Sequence, residues 1–218
     1  MTAYLELTPA RQQRLEAIAD EHGARADPAH DGLHVRRVAL LAAQIGAAEG
    51  ASLGVVVPAA LLHEVFFYPK NHPYSAQSGK ACASRAEGIL QAEGYPAAQR
   101  EAICECIRVH GYSRGISPAG RDAQVLQDAD RRDALGAIGI ARCFATGTTM
   151  QRPFYAPQDP FCRTRPPDDT LWMVDHFYRK LLRLPETLHT PTARVLAQSR
   201  AAFLEMFLRQ LAQELGES

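Results

Sequence analysis

Cysteine is sparse and its spacing supports no cross-link. The 218-residue chain has five (Cys82, Cys104, Cys106, Cys143 and Cys162), an odd count in which no two form a C-x-x-C pair. Cys104 and Cys106, two positions apart, point to different sides of a helix. This pattern argues against a disulfide scaffold or a zinc finger. It leaves small buried thiols in a reducing compartment. A charge excess is missing as well, because Lys+Arg and Asp+Glu both number 24. No global field therefore attracts DNA, RNA or an anionic membrane. Long apolar runs are absent. The longest, Val55 to Leu62, contains Pro58 and falls far short of the ~20 residues of a membrane span. The opening MTAYLELTPARQQRLEAIADEHG is charged and amphipathic and lacks the apolar core of a signal peptide. The expectation is a cytoplasmic protein with neither nucleic acid nor membrane as partner. No stretch alternates apolar and polar residues for long enough to make a strand. Repeats and low-complexity tracts are lacking too.

What remains is helical. The length and the 46% hydrophobic content suit one domain with a sizeable core. Thr8-Pro9 reads as an N-cap and first helical residue, opening a helix to about His22. Asp27-Pro28 repeats that signal and opens a second to about Gly46. Further helices are expected over about Ser52 to Glu64, with a kink at Pro58, Ser75 to Gly94, Ala97 to His110, and Arg121 to Phe144. Gly111 to Gly120 reads as a loop. Thr146 to Pro167 is long and irregular, suited to a lid or a dimer contact. Helix returns over Asp168 to Leu182 and Pro191 to Leu215. The fold class is all-α, with about eight or nine helices.

Several ionisable groups fall on apolar helix faces. His34 shares a face with Val38, Leu41 and Ile45. His30 lies one turn earlier, at the i, i+4 spacing that lets two imidazoles reach one metal. His63 shares a face with Val56 and Ala60, and Glu64 follows it at the end of an apolar run. Ile103 and Ile107 lead to His110. Asp130 shares a face with Ala123, Leu126, Ala134 and Ala137. Asp128 falls instead with Gln124, Arg131 and Arg132, the pattern of surface pairing. Each has an ordinary reading: a hydrogen-bonded core histidine, a solvated helix end for Glu64, a histidine favoured by the helix dipole for His110. An inward carboxylate, however, costs several kcal/mol (order of magnitude) unless it is paired or bound to metal. Several such groups on separate helices are easiest to place together. Imidazole and carboxylate donors suit Mn, Fe, Zn or Ni, and such a site with open positions activates water. The glycines of Gly136-Ala-Ile-Gly139 weaken their helix, a cost offset if something approaches closely there.

The order of these residues resembles a known family. A histidine in "HVRRV", then "LLHE", then "QDADRRDALGAIG" follow the H…HD…D pattern of the HD superfamily of metal-dependent phosphohydrolases. "HDGLHVRR", "KNHP", "HGYS", "DADRRDALGAIG" and the tail "DHFYRKLLRLPETLHT" are similar to a stand-alone bacterial branch related to nucleotide pyrophosphohydrolases. The likeness covers about Asp27 to the C-terminus. It implies an all-helical HD domain over 1–218, with a motif-bearing core of about 27–145 and a C-terminal helical part of about 168–215 packed on it.

The resemblance further implies one divalent metal ion (Mn, Mg, Fe, Co, Ni or Zn) held by His34, His63 and Asp130. His30 and Asp31 would stand behind the ligands. Glu64 occupies the place of the family's aspartate and is one methylene longer. It is expected to ligate the ion as a fourth donor after a small shift; the alternative gives the position to water, and in that case the chain is a weakened enzyme or a nucleotide or metal sensor. Glu64, Lys70 and His110 are the catalytic candidates. Lys70, Asn71, His72 and His110 are the candidates for holding substrate phosphate, with Lys70 as a point charge. Phe66, Phe67 and Tyr68 are expected to pack the wall of the site rather than to stack on a base. The implied substrate is a small phosphate compound, a nucleoside triphosphate by analogy, with water attacking phosphorus. The chain is expected to be a monomer or a homodimer.

Overall fold

The structure, a computed structural model, describes residues 4–23, 31–68, 72–112 and 115–217. These residues contain nine α-helices and no strand, as an all-α fold requires. They divide into two compact units, with the boundary falling inside one helix between Asp130 and Arg131.

The first unit begins with α1, Pro9–Gly23, capped where expected: Thr8 Oγ1 accepts the Arg11 N–H at 3.3 Å. α2, Gly32–Glu49, starts later than the Asp27-Pro28 signal, which lies outside the described residues. Its cap is Asp31, and it runs past Gly46 to a left-handed Gly50. α3, Leu53–Leu62, is buried on every side from Val55 to Leu62, the pattern of a helix at the centre of a core. It ends two residues short of the expected Glu64.

Pro58 sits inside α3 and lacks the N–H that would bond the Gly54 carbonyl. The amide of Gln99, fully buried on α5 (Ala97–Val109), takes over that carbonyl, with Nε2 donating to Gly54 O at 2.8 Å. The same amide bonds Leu5 twice, accepting its N–H at 2.8 Å and donating to its carbonyl at 3.1 Å. α4, Ser78–Ala92, preceded by a short 3-10 turn at Ser75–Gln77, packs a stripe of Cys82, Ala83, Ala86 and Leu90 against α5. α3 also packs on α1, α2 and α5.

α6, Arg121–Asp133, and α7, Gly136–Thr149, replace the single helix expected over Arg121 to Phe144. The chain turns at Gly136, whose φ of +71° favours glycine. A Cβ on Gly139 would stand 2.1 Å from the Ala134 carbonyl oxygen, so this glycine lets the turn close tightly. α6 buries Val125 to Ala129 without a gap. Asp128 is consequently fully buried, and its expected surface position is wrong: a helix enclosed on most sides has no free outer face.

In the second unit α7 and α9 (Pro191–Glu214) pack together, with α8, Asp175–Arg179, and a 3-10 stretch at Leu181–Thr187. The helix expected over Asp168 to Leu182 is reduced to α8. Asp168 Oδ1 accepts both the N–H and the hydroxyl of Thr170, and buried Asp175 accepts the Asp168 N–H at 2.6 Å. Such side-chain bonds compete with helix formation. The irregular segment before it is tied down by side chains. Asp159 accepts the backbone N–H groups of Arg163, Thr164 and Arg165, and Arg165 grips Asp175 at 2.5 and 2.7 Å. All five cysteines are free; Cys82, Cys104 and Cys106 are buried as expected, whereas Cys143 and Cys162 are only half-buried.

Candidate metal centre

Three elements of the first unit converge on one point. Asp31 accepts the His34 N–H at 2.9 Å, which starts α2 and sets His34 in its first turn. His34 is fully buried. His63, 1% exposed, follows the last residue of α3 and keeps helical dihedrals. Its Nδ1 donates to the Ala60 carbonyl at 2.6 Å. The proton is thereby fixed on Nδ1, and Nε2 is left as an acceptor or a metal donor. Asp130, on α6, is half-buried.

His63 Nε2 lies 3.3 Å from His34 Nε2, and His34 Nε2 lies 3.6 Å from Asp130 Oδ1. One donor atom from each of the three residues stands within 4.8 Å of the others. Donors about 2.1 Å from a common ion stand about 3.0–3.4 Å apart at tetrahedral or right-angled positions. The spacing therefore fits a divalent ion with only small adjustment, and the donor types fit a borderline transition metal. Burial holds His63 well below the usual histidine range, at about 4, despite the opposing charge of Glu64; His110 and His34 lower it further. A neutral imidazole is the form that binds metal.

His110 joins the margin of the group. Its ring centroid is 5.2 Å from that of His63, edge to face. Its Nδ1 donates to Ile107 O at 2.6 Å, the same arrangement as at His63. Buried Gln127 donates to Val109 O at 2.6 Å and to Ile116 O at 2.9 Å, fastening the end of α5 and the loop after it.

Glu64, half-buried in the turn after α3, is not one of the three grouped donors. His72 stacks on Tyr68, with ring centroids 4.9 Å apart, and is not part of the group either. Phe66 and Phe67 are 38% and 37% exposed, so they do not pack as a buried wall. His30, Lys70 and Asn71 lie outside the described residues, as does Ser113 of "HGYS".

Sequence reasoning missed Cys82, Gln99 and Gln127. The Cys82 thiol donates to the carbonyls of Leu62 and His63, 3.3 and 3.1 Å away, steadying the end of α3. Burial, and next the charge of Glu64, push that thiol up to about 12, so it stays protonated. No motif marks such residues. The one available signal was an amide or thiol on an otherwise apolar face.

Comparison with known proteins agrees with the all-helical fold. Residues 32–135 match the HD domain model. The uncharacterized protein YpgQ of Bacillus subtilis (strain 168) is 33% identical over 190 residues, which span 85% of this chain and 84% of YpgQ. The crystal structure of Bacillus subtilis YpgQ in complex with ADP superposes with a TM-score of 0.73 at 31% identity, covering 93% of this chain and 94% of that one. An HD-superfamily hydrolase of Bacillus thuringiensis gives a TM-score of 0.72 at 27% identity, covering 96% and 98%. Fold and site thus define a metal-dependent phosphohydrolase. The chain belongs to the HD-domain family. No helix among its described residues is long and apolar enough to cross a membrane.

Proposed function

We propose that the protein hydrolyses a nucleoside triphosphate, releasing pyrophosphate, at a centre where His34, His63 and Asp130 hold one divalent ion. The observation that carries this reading is the convergence of two ring nitrogens and a carboxylate oxygen from α2, the end of α3 and α6. YpgQ, whose structure holds ADP, supports a nucleotide as the ligand class. A divalent ion bound there polarises a phosphate and lowers the pKa of water. Two imidazole donors favour Mn, Fe, Co, Ni or Zn over the all-oxygen surroundings that Mg prefers.

The chain's own residues supply the rest. Buried His34 and His63 keep the site dry on one side. His110, fixed through Nδ1, directs Nε2 to the substrate, where it stabilises charge on phosphoryl oxygen or protonates the leaving group. Lys70, Asn71 and His72 meet the phosphates. The whole chain acts as a single domain, as monomer or homodimer.

The test is metal content of the purified protein beside phosphate and pyrophosphate release from a nucleotide panel with Mn, Mg, Co or Ni. Near-stoichiometric metal and metal-dependent pyrophosphate release are expected, and His63→Ala should lose both while staying helical. A wild-type protein that binds no metal under any of these conditions, or a His63→Ala protein with unchanged metal content, would sink the reading. Metal and nucleotide binding without turnover of any panel member would mark a sensor instead.

A further inference from the structure

The residue in the place of the family's aspartate, Glu64, stands next to a grouped donor and yet outside the group. We infer that Glu64 is not a metal donor in this protein but a hydrogen-bond acceptor for water beside the three-donor set. The inference rests on the proposed metal centre and concerns what Glu64 does there.

Local geometry separates Glu64 from its neighbour. α3 ends at Leu62, and His63 keeps helical dihedrals of φ −68° and ψ −14°, so its ring points as a core residue of α3 would. Glu64 falls one residue later, in the turn closed by the Val65 N–H on the Leu62 carbonyl at 3.3 Å. The Cys82 thiol holds the carbonyls of Leu62 and His63 from beneath. The turn is thus pinned on two sides, which resists the backbone shift that would draw the longer side chain back to the place of an aspartate carboxylate. Its extra methylene displaces the carboxylate by about 1.5 Å, one carbon–carbon bond, relative to an aspartate. That is several times the tolerance of a coordination sphere, where donor distances vary by about 0.2 Å.

The carboxylate is also only half-buried, and its oxygens are not closed off from water. Among the described residues Glu64 makes no hydrogen bond or ion pair, in contrast to Asp31, Asp130 and Asp175. A partly desolvated carboxylate needs donors, and water between it and the grouped atoms supplies them. Glu64 follows a grouped donor directly in the chain, so it is close to the centre without belonging to it. Three protein donors with an open position is the pattern of a catalytic metal site, whereas four protein donors close it. In H-E-x-x-H metal sites the glutamate directly after a ligating histidine likewise acts on water rather than on the ion.

Glu64→Gln and Glu64→Asp test this with Co2+ as probe, by titration and by visible absorption of the cobalt-loaded protein. Circular dichroism serves as the check on folding. For Glu64→Gln we expect an unchanged cobalt spectrum and an affinity within about 3-fold of wild type, with triphosphate turnover down by about 100-fold as the acceptor is lost. For Glu64→Asp we expect an altered spectrum and an affinity higher by about 10-fold or more, as a carboxylate one bond shorter no longer overshoots the donor position. A changed spectrum or a loss of about 100-fold in affinity in Glu64→Gln would show that Glu64 is a donor and overturn the inference, as would full turnover in that variant. Those outcomes leave the metal-centre reading standing. Failure of the wild type to take up cobalt, manganese or any other ion would overturn that reading itself, and this inference with it.

Discussion

At the ends of α3 and α5 a histidine turns Nδ1 to the carbonyl three residues earlier, and in both cases the bond is 2.6 Å. The device uses a carbonyl that a helix end leaves unsatisfied, and it frees Nε2 for chemistry. At His63 it works with complete burial. A buried ring refuses a proton until about pH 4, while the unfolded chain accepts one near pH 6.5. The unfolded state therefore binds more protons between those values. Stability of the metal-free protein should fall as pH drops from about 6.5 to 4, by up to about 3 kcal/mol. Urea midpoints measured across that range should slope less in His63→Gln. An equal slope would place the effect elsewhere. His34, His63 and Asp130 were legible because each breaks an apolar face and matches a motif. The buried position of Asp128 was not, since a face argument assumes that a helix has an outside.

The central element, α3, illustrates how a helix tolerates what should break it. Pro58 orphans the Gly54 carbonyl, and Gln99 from α5 satisfies it. Gln99→Leu should therefore cost about 2–3 kcal/mol, because it strips partners from Gly54 and from both backbone groups of Leu5. In a Pro58→Ala background the residue at 58 regains an N–H for Gly54, and the cost of losing Gln99 should shrink by about 1 kcal/mol. Thermal or urea unfolding of the four proteins in this cycle checks it, and strict additivity would show that the two residues do not share the carbonyl. The apolar run and the proline were plain in the sequence. The compensating amide lies 41 residues beyond the proline, a distance over which periodicity says nothing.

On the scale of the whole molecule, one helix crosses the boundary between the two compact units, and Asp130 sits directly at that boundary. A helix is cooperative along its length, so disorder on the far side of Arg131 should reach Asp130. Far-UV circular dichroism of the entire chain and fluorescence of its single tryptophan, Trp172 in the second unit, should then report one coincident thermal transition. Two separated transitions would mean that the units unfold independently. By itself the amino-acid sequence determined the all-α class, the positions of most helices, and the three residues that break apolar faces in motif order. These features depend on local periodicity and residue chemistry, which are written in consecutive residues. Only the tertiary structure decided that α6 and α7 are separate helices, that Asp128 is enclosed, and that Glu64 stands outside the three-donor group. It also decided which buried side chains hold the ends of α3 and α5. Each of these depends on what other segments place alongside a residue, and on differences of one bond length or one turn that spacing in a sequence does not encode.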